Sequence, residues 1–270
     1  MYAASSFRIA TALLLSFAGL AQAQTQTQPV SPAPAAAYEP RSGQEGKDVV
    51  WVPTPQVVVD KMLDMARVGP KDYVMDLGSG DGRTVITAAR RGARALGVEY
   101  NPEMVELAKR AAEKAGVSGK ASFVKADLFE TSFDKASVVT MFLLTDINLK
   151  LRPKILTLKP GTRIVSNTFT MGEWEPDARA DLVGQPGCES AYCTVLYWMV
   201  PRQVAGTYQV AQGEVTLKQE FQMLSGTLKS AGATLDLKGR VRGESIELEA
   251  GDRKYRGRLK GGTLALRNAG

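Results

Sequence analysis

The chain has 270 residues, 44% of them hydrophobic and 23% charged, and this globular composition excludes disordered and fibrous proteins. Histidine is absent, which excludes a histidine-based catalytic triad, histidine zinc ligands and a histidine proton shuttle. Two cysteines are too few for a disulfide-rich scaffold or a four-thiolate zinc site, and we expect no metal centre. The net charge of +6 is uneven, because residues 202–270 carry 12 Lys and Arg against 7 Asp and Glu.

The first 23 residues have the three parts of a secretory signal. Arg8 supplies the positive charge, residues 9–20 form an apolar run, and residues 21–23 (Ala-Gln-Ala) form a small-x-small cleavage site. The run is shorter than the roughly 20 apolar residues that a membrane span requires. We therefore expect export, to a bacterial periplasm, with an uncleaved membrane tether and an organellar transit peptide as alternatives. Residues 24–48 follow as a Pro/Ala/Gln-rich linker.

Strands and helices alternate in the predicted domain 49–201. Thr54 as N-cap and Pro55 at the first helical position predict a helix that ends at Gly-Pro 69–70. The next predicted elements are a strand 72–77, a glycine loop 78–82, a helix 83–91, a strand 93–100, a helix opened by Asn101-Pro102, strands 121–126 and 136–144, a helix 146–156, and strands 163–169 and 194–200. This alternation predicts an α/β fold with a Rossmann-like open parallel sheet, whose ligands bind at the carboxyl ends of the strands.

The glycine loop carries the most informative motif, residues 76–82 (Asp-Leu-Gly-Ser-Gly-Asp-Gly), between a predicted strand and a predicted helix. Glycines at such a turn let the backbone approach a ligand closely. The spacing Gly-x-Gly-x-Gly differs from the Gly-x-Gly-x-x-Gly of a nicotinamide dinucleotide site. Its two carboxylates, Asp76 and Asp81, would repel a pyrophosphate but suit the ammonium group of an amino acid.

Two further carboxylates end the next two predicted strands. Glu99 lies 23 residues after Asp76, where it can accept two hydrogen bonds from a ribose diol. Asp127 ends the third strand and is placed to meet an adenine amino group. An ammonium, a diol and an adenine together describe S-adenosylmethionine. The alternative is an α/β domain with a tight turn and no ligand.

The glycine loop together with residues 97–101 (Gly-Val-Glu-Tyr-Asn) resembles the class I S-adenosylmethionine-dependent methyltransferases. More narrowly, the chain resembles the seven-strand lysine methyltransferases that modify membrane-embedded mitochondrial proteins, and their bacterial relatives, in the segments 52–58, 76–83, 125–129, 142–144 and 151–154. The resemblance covers residues 50–201 and implies about seven strands, the last of them antiparallel to the rest. The cofactor residues expected from motif and resemblance are Thr54, Asp76, Gly78, Ser79, Gly80, Asp81, Gly82, Glu99, Tyr100, Asn101, Asp127 and Leu128.

Some of these residues also have ordinary structural explanations. Asn101-Pro102 is a helix start as well as a continuation of the motif around Glu99. Trp51 precedes a segment that the resemblance places near the methionine moiety, but a plain hydrophobic plug is an equal interpretation.

The acceptor is not specified by any motif. An apolar, aromatic channel would keep a lysine amine neutral, and the candidates to line it are Phe142, at the end of the fourth strand, Phe169 and Trp174. The relatives that methylate nucleobase amino groups often have Asn-Pro-Pro-Tyr where this chain has Phe-Leu-Leu at 142–144, which argues against base methylation. We name Phe142 and Asp146 as catalytic candidates, although Asp146 is better explained as a helix N-cap.

The leading hypothesis is a methyltransferase acting on a protein lysine, with nucleic acid not expected as a partner. A small-molecule methyltransferase is one alternative. The other is a non-catalytic sensor or scaffold that binds S-adenosylmethionine, which the export signal favours because the cofactor is made inside cells.

Two features outside this site remain. Cys188 and Cys193 could form a local disulfide in an oxidising compartment or stay free. Residues 202–270 show short apolar alternations between glycines, which predict a small antiparallel β meander of about six strands. Its basic stretch 253–258 (Arg-Lys-Tyr-Arg-Gly-Arg) would guide the chain to an anionic partner or membrane surface, or would only block edge pairing.

Overall fold

The computed structural model of the chain describes residues 1–2 and 38–269. The predicted signal from residue 3 onward, and the linker up to residue 37, lie outside the described residues. The chain divides into two units, Met1–Ala37 and Tyr38–Gly270. No helix among the described residues is long and apolar enough to cross a membrane.

The first sheet of the second unit has seven strands in the order β3-β2-β1-β4-β5-β7-β6. Its strands are β1 (Tyr73–Leu77), β2 (Arg94–Glu99), β3 (Ala121–Lys125), β4 (Val138–Met141), β5 (Arg163–Asn167), β6 (Ala178–Asp181) and β7 (Thr194–Met199). The helices that accompany it are α1 (Gln56–Met65), α2 (Arg83–Arg90), α3 (Pro102–Lys114) and α4 (Thr145–Leu156). Strands β1 to β5 pair in parallel and β7 runs antiparallel to its neighbours, which confirms the expected sheet with an antiparallel last strand.

Burial explains this arrangement. The central strands β1, β4 and β5 are almost wholly buried, as expected for parallel strands covered on both faces. The buried side chains of α1, α2 and α3 form one core cluster with the sheet, and those of α4 belong to a second cluster that contains Trp174 and Trp198. Strand β6 was not predicted, because its four residues are mostly exposed and show no apolar alternation.

Two predicted helix caps are wrong. Helix α1 begins at Gln56 with Pro55 in the N-cap position, and Thr54 lies outside it. Helix α4 begins at Thr145, so Asp146 sits within the first turn and does not cap it; a carboxylate there still interacts favourably with the helix dipole. Asn101 is the N-cap of α3, since its side-chain oxygen accepts a hydrogen bond from the Glu103 amide at 2.8 Å.

The second sheet is an antiparallel meander in which each strand pairs with the next one along the chain. Its strands are β8 (Gly206–Val210), β9 (Gly213–Glu220), β10 (Met223–Ser230), β11 (Ala233–Arg242), β12 (Ser245–Ala250), β13 (Arg253–Lys260) and β14 (Thr263–Asn268). The sheet has seven strands where six were predicted, because β8 is too exposed to show an apolar pattern.

The meander packs against the first sheet. Phe221 stacks on Trp174 with 6.1 Å between ring centroids, and the Gln222 side chain donates to the Glu175 carbonyl at 2.7 Å. Arg240 forms an ion pair with the nearly buried Asp177. Trp174 is therefore a core residue between the sheets, and its predicted place in the acceptor channel is wrong.

Candidate cofactor and acceptor site

A cavity opens at the carboxyl ends of β1, β2, β3 and β4. Eleven of the twelve predicted cofactor residues line it: Thr54, Asp76, Gly78, Ser79, Gly80, Asp81, Glu99, Tyr100, Asn101, Asp127 and Leu128. The exception is Gly82, the N-cap of α2, whose backbone has φ +81°. A Cβ atom there would lie 2.6 Å from Phe123 and 2.8 Å from Ala108. Gly82 therefore lets the loop pack closely against its neighbours.

The glycine loop and Glu99 hold each other in place. One oxygen of the Glu99 carboxylate accepts a hydrogen bond from the Gly80 amide at 2.8 Å, and the other accepts one from the Asn101 amide at 2.9 Å. A carboxylate has about four lone-pair sites, so each oxygen can still accept a hydrogen bond from a ribose hydroxyl. Gly80 has φ +51°, and a Cβ atom at this position would lie 2.4 Å from the Trp51 indole nitrogen.

Asp76 is buried beneath this loop. Burial is the largest cause that raises its pKa to about 7, and the negative charges of Glu99 and Asp81 act in the same direction. A hydrogen bond from the Thr140 hydroxyl at 2.6 Å opposes the rise. A buried carboxylate of this kind gains most from a cationic partner. Its neighbour Ser79 lines the cavity and has a buried hydroxyl with no partner among the described residues.

The part of the cavity around Asp127, where the sequence predicts the adenine, carries an ion pair that the sequence did not reveal. Lys47 pairs with Asp127, and the Phe129 amide donates to the same carboxylate at 2.9 Å. The hydrogen bond from Lys47 is the main cause that lowers the pKa of Asp127. The Lys47 ammonium also lies 5.2 Å from the centroid of the Tyr100 ring.

Lys47 belongs to a segment that lies across the cavity, residues 44–53, which we call the strap. All ten of its residues line the cavity. Two backbone hydrogen bonds fold it: the Gly43 amide donates to the Trp51 carbonyl and the Trp51 amide donates to the Gln44 carbonyl, each at 2.8 Å. The sequence placed residues up to 48 in the linker, because the strap shows neither helical nor strand periodicity.

Three aromatic rings lie together in the part of the cavity that we take as the acceptor end, and we call them the aromatic triad: Phe142, Phe169 and Tyr192. All three line the cavity. Their ring centroids are 5.9 Å apart for Phe142 and Phe169, 5.7 Å for Phe142 and Tyr192, and 6.0 Å for Phe169 and Tyr192. The buried Asn148 of α4 donates to the Phe169 carbonyl at 3.2 Å and so fixes that backbone. Asp146, the other catalytic candidate, is exposed and does not line the cavity.

Tyr192 comes from the loop before β7, and sequence reasoning missed it. The next residue, Cys193, forms a disulfide with Cys188, and both cysteines are fully buried. Of the two alternatives left open by the sequence, the cysteines are therefore bonded rather than free. The pair of cysteines beside an aromatic residue was the only signal that this loop is held in a defined conformation.

The comparisons with known proteins agree with this geometry. A family model described as the ANTKMT methyltransferase domain matches residues 76–178. A protein-lysine N-methyltransferase of Saccharolobus islandicus is 50% identical over 131 residues, which are 47% of this chain and 81% of that protein. The adenine nucleotide translocase lysine N-methyltransferase of Mus musculus is 38% identical over 122 residues, which are 44% of this chain, and the chain spans about half (53%) of that protein.

A solved structure supports the cofactor directly. It is an RNA methyltransferase from Salinibacter ruber in complex with S-adenosyl-L-homocysteine, 46% identical, with a TM-score of 0.53 over 57% of this chain and 96% of that one. The buried carboxylate Asp76, the clamped Glu99 and the unpartnered Ser79 hydroxyl fit the ammonium and ribose of such a ligand. The chain therefore belongs to the S-adenosylmethionine-dependent methyltransferases, in the family that includes the protein-lysine N-methyltransferase of S. islandicus, and S-adenosylmethionine is its cofactor.

Proposed function

We propose that the acceptor is a lysine side chain of a protein. The observation that carries this proposal is the aromatic triad, whose three residues line the cavity with their ring centroids within 6.0 Å of one another. Lysine has a narrow alkyl stem and a terminal nitrogen, which such a channel accommodates. Two relatives also support it, since those of S. islandicus and M. musculus are called lysine methyltransferases.

The residues of the cavity have different roles in methyl transfer. Bound S-adenosylmethionine supplies an electrophilic methyl group on a sulfonium. Asp76 and Glu99 would hold the ammonium and ribose ends of the cofactor, and the glycine loop would form the surface on which it lies. The aromatic triad would exclude water and favour the neutral, nucleophilic form of the lysine amine, because an apolar site disfavours the ammonium. Cation–π attraction to the same rings would offset part of the desolvation of a methylated product.

RNA is the competing acceptor, because the S. ruber neighbour is called an RNA methyltransferase. Phe142 and Leu143, which line the cavity after β4, offer no side-chain hydrogen bonds to the edge of a base. The residues around the acceptor end therefore favour an alkylamine over a nucleobase.

The acceptor is tested with labelled S-adenosylmethionine and the full chain, incubated separately with envelope protein, total RNA and a small-molecule extract. We expect label on protein, at lysine by mass spectrometry, and much less transfer by the Glu99→Ala variant at a low cofactor concentration. Label confined to RNA or to small molecules would overturn the lysine acceptor while leaving the methyltransferase intact.

We also propose that the chain works outside the cytoplasm, in a bacterial periplasm. The signal-like residues 1–23 support this, and so does the Cys188–Cys193 disulfide, because such bonds persist in oxidising compartments. Cell fractionation and N-terminal sequencing of the mature chain test it. A cytoplasmic chain that begins at Met1 would contradict it.

We further propose that the basic face of β13 and β14 meets an anionic membrane surface. Arg258, Lys260 and Arg267 are exposed and have no carboxylate within 4.0 Å among the described residues, whereas Lys254 and Arg256 pair with glutamates of β12. We expect the full chain to bind phosphatidylglycerol vesicles but not phosphatidylcholine vesicles, and Arg258→Glu with Lys260→Glu to abolish this. The control is the double variant Lys218→Glu with Lys238→Glu, elsewhere on the same sheet. It should bind phosphatidylglycerol vesicles much more strongly than the Arg258→Glu, Lys260→Glu variant. Equal vesicle binding by the two double variants would contradict the proposal.

A further inference from the structure

The loop between β6 and β7 is held by its disulfide. Within it the Gly184 amide donates to the Cys188 carbonyl at 3.0 Å, and the Leu182 amide donates to the Cys193 carbonyl at 2.9 Å. The two cysteines belong to the same core cluster as the buried residues of α1. The bond thus joins an irregular loop to the packed core at two points five residues apart.

Tyr192 is the one member of the aromatic triad that depends on this loop. Phe142 directly follows β4, and the backbone of Phe169 is fixed by hydrogen bonds from Ser166 at 2.7 Å and from Asn148 at 3.2 Å. Tyr192 is 40% exposed, and its amide donates to the Ser190 hydroxyl of the same loop, at 3.3 Å. Apart from its ring contacts, Tyr192 is therefore joined to the core through its neighbour Cys193, by the disulfide and by the backbone hydrogen bond from Leu182 to Cys193.

A merely stabilising role does not account for this bond. The stability that a disulfide gives through the unfolded chain grows with the length of the loop it closes, and this one closes a very short loop. Its effect is instead local and falls on the residues between and beside the two cysteines.

We propose that the Cys188–Cys193 disulfide is a positioning device for Tyr192, and that Tyr192 determines how tightly the cavity holds an alkylamine acceptor. When the bond is reduced, the loop loses its second attachment, and the acceptor end changes from a three-sided to a two-sided aromatic site. The cofactor end is unaffected, since none of the residues that hold it belongs to this loop. The inference deepens the proposed function, because it concerns the acceptor side of the same site.

The test measures acceptor binding without turnover. The probe is N-butyltrimethylammonium, which has the stem and the methylated head of a lysine product, titrated into the full chain loaded with S-adenosylhomocysteine and followed by saturation-transfer NMR. We expect the Kd of the probe to rise about fivefold or more when the wild-type protein is reduced, because one of three ring faces is lost. The Kd of S-adenosylhomocysteine should stay the same.

Three variants separate positioning from stability. Tyr192→Ala should match the reduced protein, and Tyr192→Phe should bind the probe like wild type. Cys188→Ser combined with Cys193→Ser should also match the reduced protein and no longer respond to reductant. Val183→Ala, at an exposed position of the same loop outside the cavity, is the matched control and should change nothing.

Equal probe affinity in oxidised and reduced wild-type protein would overturn the proposal, and so would normal probe binding by Tyr192→Ala. A parallel loss of S-adenosylhomocysteine affinity on reduction would also overturn it, because the bond would then support the whole cavity. These results are independent of the acceptor assay. Redox-dependent probe binding without methyl transfer to protein would leave this inference standing and remove the lysine acceptor.

Discussion

The two ends of the cavity are built in different ways. The cofactor end comes mainly from residues 76–101 and relies on backbone amides, glycines and carboxylates. The acceptor end is made of the side chains of Phe142, Phe169 and Tyr192, which lie in three different loops. These loops come after β4, after β5 and before β7. The cofactor end is determined by local backbone geometry, and the acceptor end by tertiary packing. One end can therefore change without disturbing the other.

The two ends also differ in charge. Asp76, Asp81, Glu99 and Asp127 all line the cofactor end, where an ammonium and hydroxyl donors are required. The aromatic triad carries no formal charge and contains one polar group, the Tyr192 hydroxyl. This contrast implies that electrostatic changes should act on cofactor affinity, and changes in shape should act on the acceptor.

The largest effect is expected for Gly80→Ala, which tests whether the cofactor end depends on backbone geometry. The new Cβ would collide with the Trp51 indole at 2.4 Å and would be strained at φ +51°. We expect S-adenosylmethionine affinity to fall by about 100-fold or more, measured by calorimetry, since displacing loop and strap costs about 3 kcal/mol.

Gly116→Ala is the matched control for backbone strain. Gly116 also has a positive φ, +70°, but a Cβ atom there meets nothing within 4 Å. It should bind the cofactor like wild type. Equal loss in both variants would mean that general destabilisation, rather than the shape of the loop, weakens binding.

A smaller loss is expected for Glu99→Ala, which removes the acceptor of the Gly80 and Asn101 amides as well as of the ribose diol. A hydrogen bond to a charged group contributes about 1.5–3 kcal/mol, so the loss of one such bond should lower the affinity by about 10-fold to 150-fold. Glu113→Ala changes an exposed carboxylate of α3 outside the cavity and should have no effect. Unaltered binding by Glu99→Ala would exclude the diol contact.

The sequence predicted the cofactor end well, because most of its residues lie close together in the chain. The order of strands and helices followed from apolar periodicity, which is specified by neighbours in the chain. The antiparallel last strand was implied by the resemblance to the methyltransferases, and the eleven cavity residues came from the glycine motif together with that resemblance. Residues 44–48 of the strap escaped prediction because their key contact joins Lys47 to Asp127, 80 positions apart. Tyr192 escaped because only the fold brings its loop to Phe142. Trp174 was misplaced because a buried aromatic gives the same pattern in a core as in a channel.

At the acceptor end, Phe169→Ala should leave cofactor affinity unchanged and lower kcat/KM for the protein acceptor by about tenfold, since an aromatic contact contributes roughly 1 kcal/mol beyond its buried area. Phe169→Tyr should restore most of the activity. Tyr208→Ala removes an aromatic side chain of the second sheet and serves as the control. A fall in the cofactor affinity of Phe169→Ala would contradict the conclusion that the acceptor end can change without affecting the cofactor end.

The pH dependence of cofactor binding tests the role of the Asp76 charge at the cofactor end. The pKa of Asp76 is about 7, and only its ionised form pairs with an ammonium, so affinity should fall by about tenfold from pH 8 to pH 6. In the Asp76→Asn variant affinity should be lower at pH 8 and independent of pH over this range. A wild-type affinity that is flat across the range would contradict the role of Asp76.

The same shift affects the stability of the ligand-free protein. Because the folded-state pKa of about 7 lies above the ordinary aspartate pKa of 3.8, the folded state binds the proton more tightly. The contribution of Asp76 to stability is therefore greatest below about pH 4 and is lost as the pH rises through about 7. Asp76→Asn should remove this part of the pH dependence in urea unfolding, with stability at pH 8 equal to or above that of wild type.

The smallest effect is expected for Lys47→Ala, which tests whether the strap belongs to the cofactor end. Its ion pair with Asp127 is partly exposed, and solvent-exposed pairs of this kind contribute little. Removing it should weaken cofactor binding by about two- to threefold through a faster dissociation rate, measured by stopped flow, and the difference should shrink in high salt. Lys71→Ala changes an exposed lysine outside the cavity and should have no effect. Tighter binding by Lys47→Ala would mean that Lys47 competes with the adenine for Asp127, and that the strap must open before the cofactor end can form its full set of contacts.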